Sequence, residues 1–184
     1  MSILKLLGLA REEVPADTNN DTDTVRKIVG QLEALGQNEA RYVATFAYVL
    51  SRVAYADQEI SEDETFMMEH LVEELGGLTE AQAVLAVEIA KNQASLFGGT
   101  ENFLVTRQFR ELSSREQREQ MLHCLFAVAA ADDSISSAEE TQVRQIASEL
   151  GFSDREFVTV RSAYNDKREV VKMMRRTGKS SGVT

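Results

Sequence analysis

With 184 residues, 43% apolar and 27% charged, the chain suffices for one well-buried domain, or two small halves sharing a core, and is too short for a large multidomain enzyme. One proline and no tryptophan point away from loop-rich β folds, and a net charge of −10 argues against nucleic acid as a partner, because neutralising phosphates needs a surplus of Lys and Arg. The lone Cys124 allows no intramolecular disulfide, so a reducing, cytoplasmic setting is expected.

Residues 1–11, MSILKLLGLAR, are apolar at Ile3, Leu4, Leu6, Leu7 and Leu9 but fall far short of the roughly 20 residues a transmembrane helix needs. Without a basic stretch before the apolar run or a small-residue cleavage site after it, the segment does not read as a signal peptide. It reads as a short amphipathic turn for docking on the protein's own body, a partner or a membrane surface. Pro15, Asn19, Asn20 and scattered acids complete a 1–23 segment whose second half is an acidic linker.

From Thr24 the pattern turns helical. Val25, Ile28, Val29, Leu32 and Leu35 recur at three- and four-residue spacing, and Gly36 stands where a C-terminal cap belongs. A second helix is predicted over about Glu39–Ala56 and a third over Glu62–Leu75, with Met67 and Met68 assigned to the core. A fourth starts after Thr79, whose spacing to Gln82 fits a capping box, and ends by Gly98-Gly99; a fifth covers Glu101–Leu112. The sixth opens at Ser113 with Glu116 three residues on, the seventh spans Ser137–Leu150, and the eighth begins after Ser153 with Glu156 completing a box. The expectation is an all-α bundle of about eight helices over 24–165, followed by a basic tail, 166–184.

Residues 50–76 align with 125–151 at a constant offset of 75, within repeats placed at about 46–90 and 121–164. Leu50, Val53, Ala54, Ala56, Asp57, Ile60, Ser61, Glu64, Glu74, Leu75 and Gly76 meet the same residue types 75 positions later. The shared loop skeleton is A-D-x-x-I-S-x-x-E. It implies two related helix–loop–helix units with their loops in related environments.

Carboxylates flanking a turn suit a hard divalent cation such as Ca²⁺ or Mg²⁺, which prefers oxygen ligands. The candidate ligands are Asp57, Glu59 and Glu64 in the first loop and Asp132, Asp133 and Glu139 in the second. Asp57, Glu59, Ser61 and Glu64 match the fifth, seventh, ninth and twelfth EF-hand positions, whereas Val53 and Tyr55 fall on the first and third and offer no carboxylate. A purely structural reading stands beside this one. Ser61-x-x-Glu64 and Ser136-x-x-Glu139 are both capping boxes, and acids favour helix N-termini.

At this skeleton the sequence resembles the tellurite-resistance TerB family and the related N-terminal domain of the DjlA co-chaperones, over about residues 24–165. The resemblance implies an all-helical bundle with an acidic patch for divalent metal, carried here by Asp57, Glu64, Asp132 and Glu139. It also implies a role in stress response or in assembling protein complexes at the inner face of the membrane. Gln58 and Asp133 stand where many relatives have Gly.

His70 and His123 lie mid-helix without a Ser, Cys or Asp constellation and read as packing or surface residues; Cys124, among Leu122, Leu125 and Phe126, reads as a buried inert thiol. No phosphate-binding glycine pattern occurs. From residue 165 onward Lys167, Arg168, Lys172, Arg175, Arg176 and Lys179 outnumber Asp166 and Glu169, a net +4 against −14 for the rest. That tail suits anionic lipid or an acidic partner, or else a cation-rich helix C-terminus. The sequence reading is therefore a non-enzymatic, cation-binding, TerB-like stress protein with protein partners. The alternatives are a structural adaptor or membrane-peripheral scaffold without metal and, third, a metal-assisted hydrolase.

Overall fold

The computed structural model describes residues 23–54, 62–92, 102–131 and 134–173, without the side chains of residues 63 and 64. Eight α-helices occur among them: α1 (Asp23–Ala34), α2 (Gln37–Ala54), α3 (Glu62–Gly76), α4 (Glu80–Lys91), α5 (Asn102–Leu112), α6 (Arg115–Ala129), α7 (Ser137–Glu149) and α8 (Asp154–Ser162). After α8 come a 3-10 turn at Asn165–Lys167 and a helical turn at 169–173. Among the described residues the only β pairing is an isolated parallel bridge, Ile135 to Arg168, so the all-α expectation holds. No described helix is long and apolar enough to cross a membrane.

The second helix was expected to bury one stripe. Instead α2 is covered nearly all round, burying Ala40, every residue from Val43 to Ser51, and Val53. A helix apolar on all sides belongs at the centre of a bundle, and α2 packs against α1, α4, α5, α6 and α7. The hydroxyls of its buried Thr45 and Ser51 are satisfied locally, Thr45 Oγ1 donating to Arg41 O at 2.8 Å and Ser51 Oγ to Tyr48 O at 2.7 Å. Such satisfaction is what permits polar groups in a core.

Across the core α3 packs on α4 and α6, and α7 packs on α2, so each hairpin's second helix lies against the other hairpin's first. Phe46 of α2 meets Phe109 of α5 edge-on at 6.0 Å, and Phe126 of α6 meets Phe157 of α8 at 5.6 Å. Met68 is core as expected, but Met67 is exposed, because successive helical positions point about 100° apart and only one of the two faces α6 and α4.

The caps set the boundaries. The sixth helix starts one residue later than its sequence box suggested: Ser114 Oγ accepts from Gln117 N and Gln117 Oε1 from Ser114 N, while Ser113 Oγ donates back to Phe109 O at 2.6 Å and belongs to the end of α5. The boxes Thr79–Gln82 and Ser153–Glu156 form as expected. The fourth helix ends at Lys91, with Asn92 leaving helical geometry as its cap and Asn92 N donating to Ile89 O at 3.1 Å, several residues short of the expected end by Gly98-Gly99, which themselves lie outside the described residues. The left-handed residue after α7 is Gly151 (φ +85°), whereas after α3 it is Gly77 (φ +66°), one position beyond the offset-75 partner. Gly76 is itself helical, so the 75-residue register ends there and a register of 74 aligns the caps Thr79 and Ser153.

Candidate functional site

The second acidic loop is entered from α6, where Ala130 N donates to Phe126 O at 3.0 Å and Ala131 N to Val128 O at 3.1 Å. Ile135, 1% exposed, plugs the loop into the core. It spends its backbone groups on the C-terminal segment: Ile135 N donates to Lys167 O at 2.8 Å and Ile135 O accepts from Glu169 N at 3.0 Å. Ser136 then caps α7, its Oγ accepting from Glu139 N at 3.2 Å while Glu139 Oε2 accepts from Ser136 N at 2.8 Å. The box thus fixes the orientation of a candidate ligand, Glu139, and leaves its carboxylate with further acceptor capacity.

Next to it Glu140 does a different job. Arg168 reaches it twice, Nε to Oε2 at 2.7 Å and Nη2 to Oε1 at 2.9 Å, and Arg161 Nη1 adds a bond to Oε1 at 2.9 Å. Burial alone would raise the Glu140 carboxyl; hydrogen bonds from and the charges of the two arginines outweigh it and hold the carboxyl below its ordinary value. Glu140 is therefore a structural anion pinning 165–169 to the loop. Sequence reasoning passed over it because it lies outside the shared skeleton, where the position 75 residues earlier is Thr65.

The other predicted ligands fall differently. Asp57, Glu59, Asp132 and Asp133 lie outside the described residues, as does Ser61, and the Glu64 side chain is likewise not described. Ala54 and Glu62 mark the described ends of the helices flanking the first loop. Among the described residues no three His, Cys, Asp or Glu side chains come together as a metal cluster. The donor chemistry of the set fits a hard, oxygen-seeking cation, and Glu139 is its one member with a described side chain.

A second buried ion pair ties the hairpins together. Arg52 near the end of α2 donates through Nη1 to Glu149 Oε2 at 2.5 Å and to Thr106 Oγ1 at 2.7 Å, and through Nη2 to Glu149 Oε1 at 3.2 Å. Burial tends to raise the Glu149 carboxyl, but the Arg52 hydrogen bonds and charge prevail and lower it. Arg115, Arg118 and Arg110 gather just past the same C-terminal end of α7, where Arg118 Nη1 donates to Leu150 O at 3.0 Å and Arg115 Nη1 to Gly151 O at 3.2 Å. Cations belong at a helix C-terminus, which accounts for them.

An open cleft of about 350 Å³ lies between α1, α3 and α4, lined by Lys27, Glu69, Val84, Glu88 and Lys91 among others and by none of the candidate ligands. Lys91 Nζ donates to Thr65 Oγ1 at 2.9 Å there. His70 is exposed and pairs with Glu74 at 3.4 Å, and His123 is half-buried with its Nδ1 3.4 Å from the Tyr164 hydroxyl. Burial pushes the Cys124 thiol up to about 12, which makes it a poor nucleophile.

The family model described as "Tellurite resistance protein TerB" matches residues 42–162. The chain belongs to the TerB family. No curated protein and no solved structure gives a match. In this TerB chain the matched stretch begins inside α2, ends with the last residue of α8 and contains both acidic loops. Helix α1 and the segment pinned to the second loop lie beyond it.

Proposed function

We propose that this TerB protein is a non-enzymatic stress-response component whose two acidic loops bind a divalent cation and whose surface engages other proteins. The observation that carries the reading is the recurrence of A-D-x-x-I-S-x-x-E at an offset of 75, which puts Asp57, Glu59 and Glu64 in one loop and Asp132, Asp133 and Glu139 in the other. The capping box on Glu139 supports it, since a carboxylate already oriented by a backbone N–H loses less freedom on binding a cation. The loops supply fewer carboxylates than a full EF-hand, so weak affinity is expected, with carbonyl and water oxygens completing the shell.

Calorimetric titration with Ca²⁺, Mg²⁺, Mn²⁺ and Zn²⁺, on the unaltered chain and on Asp57→Asn, Asp132→Asn, tests this directly. Saturable binding that the double substitution abolishes is the expected result. No binding by the unaltered chain would remove the cation and leave the second reading, an adaptor or membrane-peripheral scaffold without metal, placed in the cytoplasm or at the membrane's inner face. A specific observation favours that alternative: the bond that Glu139 accepts from Ser136 N is a sufficient structural use for that carboxylate.

A further inference from the structure

At the 75-residue offset, α3 and α7 correspond, yet their solvent faces differ in kind. Where α7 has Thr141 and Gln142, α3 has Phe66 and Met67, 73% and 47% exposed. An exposed phenylalanine beside an exposed methionine contributes nothing to the core, and such residues are enriched at protein interfaces. The same helix carries Glu62, Asp63, Glu64, Glu69, Glu73 and Glu74 and no Lys or Arg. In α7, by contrast, arginines hold two of the three glutamates, Glu140 and Glu149. Helix α3 thus offers an apolar patch with an acidic rim, the complement of a helix bearing apolar side chains among cations.

The chain itself contains such a segment. The helical turn at 169–173 exposes Val170 (36%) and Met173 (67%), and the sequence runs on through Met174, Arg175, Arg176 and Lys179. Its base is fixed by Ile135 and Glu140 at the start of α7, a helix that packs on α2, α5, α6 and α8, whereas α3 packs on α4 and α6. Of the packing neighbours just named, the helix that anchors the donor segment and the helix that bears the acceptor face share α6 alone.

We propose that the basic C-terminal segment of one copy docks on the α3 face of a second copy. Val170 and Met173 lie against Phe66 and Met67, the cations lie against Glu62, Glu73 and Glu74, and the exchange is reciprocal, giving a closed two-fold dimer. No cation at the loops is required, so this dimer stands or falls separately from the metal reading.

Sedimentation velocity decides it with the full chain and two variants. Phe66→Thr, Met67→Gln copies the residues of α7, and truncation after Glu169 keeps both the Ile135 bridge and the Glu140 pairs. The full chain is expected to dimerise, with an affinity that falls as salt screens the rim. Each variant alone is expected to lose about tenfold or more in affinity, or roughly 1.4 kcal/mol. An equimolar mixture should recover a one-to-one complex, because one variant keeps the tail and the other the face. That complementation cannot arise from misfolding, and circular dichroism of each variant checks its helix content. A full chain that stays monomeric, or a mixture that does not associate, overturns the proposal. So does truncation after Glu169 that abolishes binding to phosphatidylserine vesicles while leaving self-association as strong as in the full chain.

Discussion

Arg52 sits with its side chain 3% exposed between Thr106 and Glu149, and the partner carboxylate is itself only 12% exposed. Removing one member of a buried pair strands the other charge away from water, which costs about 3–5 kcal/mol. Arg52→Ala is therefore expected to lower the urea midpoint sharply, with Arg52→Met, Glu149→Leu recovering much of the loss. The pair was illegible in sequence because 97 positions separate the partners and neither residue's neighbours mark it. Glu139 was legible for the opposite reason. Its role is local, three residues from the serine it caps, and such spacings can be read directly.

Among the elements, caps decide where helices start, and the second loop depends on one of them. Ser136→Ala removes the acceptor for Glu139 N, so a loss of about 1 kcal/mol is expected in urea unfolding. The Glu139 carboxylate keeps its bond from the Ser136 backbone N–H in that variant, so cation affinity is expected to hold, which calorimetry reads separately. Helix number and type were plain in the 3.6-residue periodicity. Adjacent serines defeated the boundary of α6, since Ser113-x-x-Glu116 and Ser114-x-x-Gln117 are both acceptable boxes and only the Ser113 bond to Phe109 O separates them. Periodicity also marks which face of a helix is apolar without saying whose face it meets. The pairing of α3 with α6, rather than with its own hairpin partner, was therefore invisible.

For the molecule as a whole, acid is the informative perturbant. Glu140 and Glu149 both have carboxyls lowered from the ordinary 4.5 in the folded state. Their contribution is present above the unfolded value and is lost as pH falls through the lower folded values. The urea midpoint is thus expected to hold above pH 5 and fall below about 4.5, and Glu140→Gln should flatten part of that slope while lowering the plateau. Truncation after Tyr164 should destabilise by about 2 kcal/mol, because Glu140 keeps only Arg161 and Ile135 loses both backbone partners, whereas truncation after Glu169 should change little. Comparing the two midpoints in urea separates the contribution of the pinned residues from that of the remaining tail.

The bond between Ile135 and residues 167–169 also sets an order of events during synthesis. A ribosome extends the chain from the N-terminus at about 5–20 residues per second. The first acidic loop and its flanking helices are made well before α6, against which α3 must pack, and the second loop acquires its closing hydrogen bonds only after α8 and the 3-10 turn have emerged. Neither hairpin can settle alone, so the body should consolidate late and as one unit. A chain ended at residue 164 would leave the second loop unclosed on an otherwise finished bundle.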